Sequence, residues 1–163
     1  MRHDVRAWAT ERSYRSDSWT AAGLLGEKGG VRVSVVLPAR DEADTVGSIV
    51  AAIRDALVVD VPLVDEIVVL DSHSSDETAA VARAARAVVH HQAEVLPDLG
   101  DRTGKGEALW KALHVTTGDV IAYVDADLRD FDPQFIVSLL GPLLTDAGVD
   151  RREGVLRPPA AHW

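Results

Sequence analysis

The sequence predicts an α/β fold built on a parallel sheet. Short apolar runs rich in β-branched residues, VRVSVVL, EIVVL, AVVHH and DVIAYVD, alternate with segments whose apolar residues recur at helical spacing. The connections between them are short, which implies parallel strands joined by crossovers and gathers the loops after the strands along one sheet edge. With 163 residues, 47% of them hydrophobic, the chain is long enough for one domain with its own core.

Residues 1–30 show no sustained period and end in GEKGG, a breaker, so they read as an N-terminal docking arm. Val31 to Leu37 form a strand buried on both faces and stopped by Pro38. Val46, Ile49, Val50, Ile53 and Leu57 then predict a helix starting near Glu42, with Asp41 as its N-cap. Glu66 to Leu70 is a second buried strand, and Ser74 and Glu77 stand at capping-box spacing before an alanine-rich helix.

Ala87 to His91 is a weaker third strand, and QAEVLPDLGDRT is a polar loop. GKGEALWKALHVTTG follows as a helix with Leu109, Trp110 and Leu113 on one face and Gly118 at its end. Trp110 reads there as core, or as shared by the helix and a partner surface. DVIAYVD is the fourth strand, and Pro133 at the first helical position, after Asp132 as cap, opens a last apolar helix through Leu144. Residues 31–144 are thus the expected domain. The remainder, 145–163, is an irregular tail in which a double proline discourages helix or strand.

Composition excludes several functions. Without cysteine there are no disulfides or thiolate metal sites, and a reducing cytoplasm is the natural compartment. No run approaches the ~18 apolar residues of a membrane helix, and the N-terminus lacks the apolar core of a signal peptide. A formal charge of −9 argues against nonspecific nucleic-acid binding, so an anionic ligand needs local help.

Four loops fall at the ligand-binding edge: PARDE (Pro38 to Glu42), DSHSSDE (Asp71 to Glu77), DRTGKGE (Asp101 to Glu107) and DADLRD (Asp125 to Asp130). Asp125 and Asp127 share one direction if the chain stays extended, and hard oxygen donors so placed suit Mg2+ or Mn2+ bridging to phosphates. The same pair could simply cap the next turn and stay hydrated. Lys105 at a helix start would put its ammonium and free N–H groups near one anion, though it could equally be a surface lysine. Gly104-Lys105-Gly106 is no Walker A loop, since the preceding spacing is wrong and Gly106 replaces Ser or Thr, and GxGxxG is absent. Neither Asp71 nor DADLRD fits a phosphatase aspartate motif. His90 and His91 are adjacent and point to opposite faces, which disfavours a shared metal, and His73 reads as a solvated loop residue.

VSVVLPARDEADTVGSI, EIVVLDSHSSDET, GKGEALW and GDVIAYVDADLRDFDP, in this order, resemble the GT-A glycosyltransferases that use nucleotide sugars. GKGEALWKAL with DADLRDFDPQFIVSLLGPLL is similar to the actinobacterial glucosyl-3-phosphoglycerate synthase family, which moves glucose from UDP-glucose to 3-phosphoglycerate. The resemblance spans roughly Trp19 to Leu144 and implies a Rossmann-like GT-A sheet. It implies that Pro38, Ala39, Arg40, Asp41 and Glu42 hold the uridine, with Ser72 as a uracil contact. Lys105 matches the basic residue at the diphosphate and glucose. Asp125, Ala126 and Asp127 match the DXD motif, Asp127 as the metal ligand for Mg2+ or Mn2+ and Asp125 nearer ribose and glucose. Lys105 and Asp127 are the residues expected to assist catalysis, by stabilising charge on departing UDP. The resemblance further implies retention of anomeric configuration and a homodimer.

Arg40 stands where relatives often have an apolar residue, and His73 where they often have Gly or Asp. After Leu144 the resemblance ends, whereas the family continues with acceptor-binding elements and a histidine completing the metal site. A truncated or frame-altered product is expected, with His162 as the remaining candidate for that histidine. Two alternatives follow: a noncatalytic module that only binds UDP-sugar, and a sugar-phosphate nucleotidyltransferase, which PARDE disfavours by lacking a glycine-rich loop.

Overall fold

A computed structural model of the chain describes residues 13–15 and 17–146. The tail from 147 onward, with His162, and residues 1–12 of the expected arm lie outside the described residues. Among those described, four parallel strands form one sheet in the order β3-β2-β1-β4: β1 (Val33–Ala39), β2 (Glu66–Asp71), β3 (Val88–His91) and β4 (Val120–Tyr123). The helices are α1 (Ala21–Lys28), α2 (Val46–Arg54, continued by a π turn over Asp55–Asp60), α3 (Thr78–Ala84), α4 (Lys105–Ala112) and α5 (Gln134–Thr145).

Side chains alternate in direction along the strands and so divide between two cores. Val33, Val35, Leu37, Ile67, Val69 and Ala122 face one way and pack with residues of α1, α2, α3 and α5. Val36, Val68 and Leu70 face the other way and pack with Ala108 and Ala112 of α4. Helices on both faces explain why β1 and β2 are almost continuously apolar rather than alternating.

Several expectations need correction. β1 does not stop at Pro38 but runs through it to Ala39, opposite Asp71. The Ala39 carbonyl accepts from Ser72 N–H on the β2 side, while the Val36 carbonyl accepts from Val124 N–H on the β4 side. Pro38, two residues after Val36, therefore faces the β4 side, where strand pairing has already ended, so no ladder bond is lost. The arm contains a helix, α1, which Thr20 caps by accepting from Gly23 N–H at 3.2 Å and which Gly29 ends at φ 55°.

Asp41 is not a helix cap. It lies at φ 56°, and its Oδ1 accepts from the backbone N–H and hydroxyl of Ser75 at 2.6 and 3.0 Å. The capping box at Ser74 and Glu77 is not formed either, because Ser74 Oγ is taken by Asp41 N–H at 2.9 Å. On α4 the buried face is Ala108, Lys111 and Ala112. Trp110 is 36% exposed and sets its ring edge-on to His114, so it is not core. Gly118 does not end α4, whose C-cap is Leu113; it is a close approach, where a Cβ would lie 2.3 Å from Ser34 Oγ. Asp132 Oδ1 accepts from Gln134 N–H at 2.8 Å as a cap would, but α5 begins at Gln134, so Pro133 is its N-cap residue rather than its first helical position.

Candidate functional site

The chain leaves β1 toward β2 and β3 on one side and returns as β4 on the other, so the carboxyl ends of β1 and β4 frame a switch point where such sheets bind ligands. A cavity of about 300 Å³ lies there, lined by Pro38, Ala39, Arg40 and Glu42 after β1, and by Ser72 after β2. Gly104, Lys105 and Ala108 of α4 and Asp125, Ala126 and Asp127 after β4 complete its wall. Every residue expected at the donor lines this cavity except Asp41. Gly104 lies in the expected DRTGKGE loop without having been named as a donor contact, and Ala108 was not anticipated; both follow from Lys105 standing at the first position of α4.

Hydrogen bonds stitch the walls together. Asp41 and Ser74–Ser75 exchange bonds between the β1 and β2 loops, Glu42 N–H donates to Thr78 Oγ1 at 2.8 Å, and Ala43 N–H donates to Asp76 Oδ2 at 3.1 Å. These contacts serve N–H groups ahead of α2 that a local cap would otherwise satisfy. Thr45, at the start of α2, donates its hydroxyl to the Ala126 carbonyl at 2.6 Å and so ties the β1 side to the turn after β4.

That turn keeps alternate residues out. Ala126 is buried while Asp125 and Asp127 are exposed, although the strand itself ends at Tyr123. The two carboxylates have different surroundings: Asp125 pairs with the Lys105 ammonium, whereas Asp127 has no hydrogen bond or ion pair to a described residue. Burial, and next the Asp127 carboxylate, push the Glu42 carboxyl above its ordinary range, with Asp76 and Asp41 adding to the push and the Thr45 hydroxyl opposing it. This side of the cavity gathers mutually repelling carboxylates, although Arg40 Nε lies 4.0 Å from Asp41 Oδ2. Among the described residues no group of three or more His, Cys, Asp or Glu side chains could hold a metal by itself.

Ser72 lines the cavity, but its hydroxyl is buried and donates to Gln92 Oε1 at 2.7 Å. His73 is not a free loop residue, since its Nε2 meets Asp101 Oδ2 at 2.8 Å. Asp71 sits behind the wall with Oδ2 2.9 Å from His91 Nδ1. Sequence reasoning missed Gln92 and Lys111, both fully buried beneath the loop that leads to Lys105. The available signal was Lys111 at three from Ala108 and next to Ala112, on the helix's small-residue face.

Comparisons with known proteins agree with this fold. The profile of Glycosyl transferase family 2 matches residues 34–149. The chain is 51% identical over 152 residues to the glucosyl-3-phosphoglycerate synthase of Mycolicibacterium smegmatis, covering 93% of this chain and 49% of that protein. The crystal structure of a mannosyl-3-phosphoglycerate synthase from Rubrobacter xylanophilus superposes with TM-score 0.85 at 43% identity, over 88% of this chain and 46% of that one. The Mycobacterium tuberculosis glucosyl-3-phosphoglycerate synthase, in complex with Mn2+, UDP-glucose and phosphoglyceric acid, superposes with TM-score 0.76 at 43% identity, over 83% of this chain and 47% of that one. The chain thus spans about half the length of the relatives it matches. No helix among the described residues is long and apolar enough to cross a membrane.

Proposed function

Because the chain belongs to Glycosyl transferase family 2, we propose that it forms the donor-binding half of a glycosyltransferase. In the whole protein, this half would serve transfer of glucose from UDP-glucose to 3-phosphoglycerate with retention. The observation that carries the reading is the switch-point cavity, which collects the expected donor residues other than Asp41 from loops far apart in sequence.

In this reading Pro38, Ala39, Arg40, Glu42 and Ser72 hold the uridine, and Asp41 acts indirectly by pinning the β2 loop through Ser75. Lys105 faces the diphosphate, and Asp125 orients its ammonium from the opposite wall while lying nearest the ribose and glucose. Asp127 fits a divalent cation: it is exposed, has no hydrogen bond or ion pair to a described residue, and sits where like charge already raises Glu42. It would hold Mg2+ or Mn2+ together with diphosphate oxygens, since such ions keep few protein ligands and complete their shell with water and phosphate. When bound, the ion supplies counter-charge for the departing diphosphate. Lys105 adds a second, preorganised positive group at the same place. Both substrates are charged intracellular metabolites, so the proposal puts the enzyme in the cytoplasm, and a homodimer is the assembly it carries over from the family.

The test offers the folded chain UDP-glucose or GDP-mannose, each with 3-phosphoglycerate and Mn2+, and follows donor binding and nucleotide release. Preferential UDP-glucose binding is the expected result, with UDP release expected once the acceptor-binding half of the whole protein is present. Binding without release even then would make the chain a noncatalytic donor module, preference for the mannose donor would overturn the glucose assignment, and no binding of either would overturn the donor site.

A further inference from the structure

Lys111 is a lysine with 0% exposure on the face of α4 that packs against the sheet. Its Nζ lies 3.0 Å from the Gln92 carbonyl, 2.9 Å from the Gly100 carbonyl, 3.4 Å from Asp101 Oδ1 and 3.6 Å from Glu107 Oε1. An ammonium has three donors, so the two carbonyls take one each and the two carboxylates share the third. Gln92, also 0% exposed, extends the network: its Nε2 donates to Asp101 Oδ1 and to the Arg102 carbonyl, each at 2.8 Å, while its Oε1 accepts from Ser72 in the cavity wall. His73 reaches Asp101 from the β2 loop.

Five of these contacts, from Lys111, Gln92 and His73, fall on residues 100–102, immediately before the Gly104 and Lys105 of the cavity wall. Packing does not hold this segment. Residues 101–104 are exposed, Gly100 and Gly104 sit at φ 86° and 129°, and a Cβ at either would meet nothing within 4 Å. Two glycines in open space leave the backbone free to swing, so the polar network is what selects one arrangement. A buried charged network is a weak source of stability compared with apolar packing of the same volume, which makes positioning its more informative role.

We propose that Lys111, acting with Gln92 and Asp101, is a positioning residue that clamps residues 100–104 so that Lys105 meets the donor diphosphate. The inference rests on the donor-site reading above for what Lys105 meets, whereas the clamp itself does not depend on any ligand.

The experiment uses two variants of the full chain. Lys111→Met keeps the side-chain length and removes the ammonium; Asp101→Ala removes the exposed end of the network and guards against a folding defect at the buried site. Amide hydrogen exchange of the free chain should quicken over residues 100–106 in both variants while β1 and β2 stay protected. UDP affinity should fall about tenfold, as expected when a clamp of charge-assisted bonds is lost, while UMP affinity stays unchanged because only the second phosphate needs Lys105. Unchanged loop exchange in both variants overturns the clamp. A loosened loop with unchanged UDP affinity, or equal losses for UDP and UMP, overturns the positioning role. A wild-type chain that binds no UDP overturns the donor-site reading and the positioning claim, with the exchange data still deciding the clamp.

Discussion

Replacing Gly141 with alanine separates helix propensity from packing. Gly141 lies inside α5 beneath the indole of Trp19, and a Cβ there would come within 2.2, 2.4 and 2.7 Å of three ring atoms. Carbon atoms in good contact are about 3.5–4.0 Å apart, so the indole must shift by more than an ångström and cannot do so by bending a flexible tip. Propensity alone favours alanine over glycine in a helix interior by up to about 1 kcal/mol. Against this, overpacking costs roughly 1–3 kcal/mol, and lifting Trp19 also forfeits part of the burial that docks α1 on α5. The expected net loss is about 2 kcal/mol, or a Tm lower by roughly 4–8 °C for a chain of this size. Thermal denaturation by circular dichroism measures it, and Trp19→Ala should make Gly141→Ala neutral or stabilising in the double variant. A Gly141→Ala chain that melts at or above wild type would refute the packing argument.

Other expectations concern charge and close approach. Glu42 has a raised carboxyl, so its ionised form opposes folding at neutral pH and this penalty fades as pH falls through the raised value. Glu42→Gln should therefore raise Tm near pH 7, with the gain vanishing in acid. Asp65 has the opposite sign: burial pushes it up, but the bonds from Lys28 and Val33 N–H win and hold it below its ordinary range. Asp65→Asn should lower Tm at neutral pH, with the deficit shrinking as wild-type stability is lost below the usual aspartate range. Gly118→Ala, whose Cβ would meet Ser34 Oγ at 2.3 Å and Ser34 N at 2.7 Å, should destabilise markedly, whereas Gly106→Ala, with nothing within 4 Å, should be neutral or gain up to about 1 kcal/mol in the same melt. Lys105→Met should weaken UDP by about tenfold or more in calorimetric titration while leaving Tm unchanged, since the lysine is exposed.

Strand positions were legible because burial on both faces demands unbroken apolar runs, and VVL, IVVL and VIAY supply them. The four site loops followed from topology, since parallel pairing leaves little choice of edge. The failures share a cause, which is competition from residues distant in sequence. Ser74 and Asp41 have the composition of helix caps, yet they spend their hydrogen bonds on each other's loops. Helix α1, AAGLLGEK, carries two glycines and buries little beyond Leu24, so its helicity depends on a partner more than a hundred residues away. Lys111 escaped notice because its acceptors, two carbonyls and a loop carboxylate, belong to a fold rather than to a pattern.

The central claim is that the switch-point cavity is a metal-dependent donor site, and Asp127 is the residue to test it. UDP titrated into the folded chain by calorimetry, with Mn2+ and then with chelator, should bind only in the presence of the ion. Asp127→Ala should abolish the ion dependence and weaken binding at least about tenfold without lowering Tm, as suits an exposed side chain that has no hydrogen bond or ion pair to a described residue and repels the Glu42 carboxylate. A folded chain that binds UDP equally well without the ion, or an Asp127→Ala variant that binds as wild type does, would contradict the account.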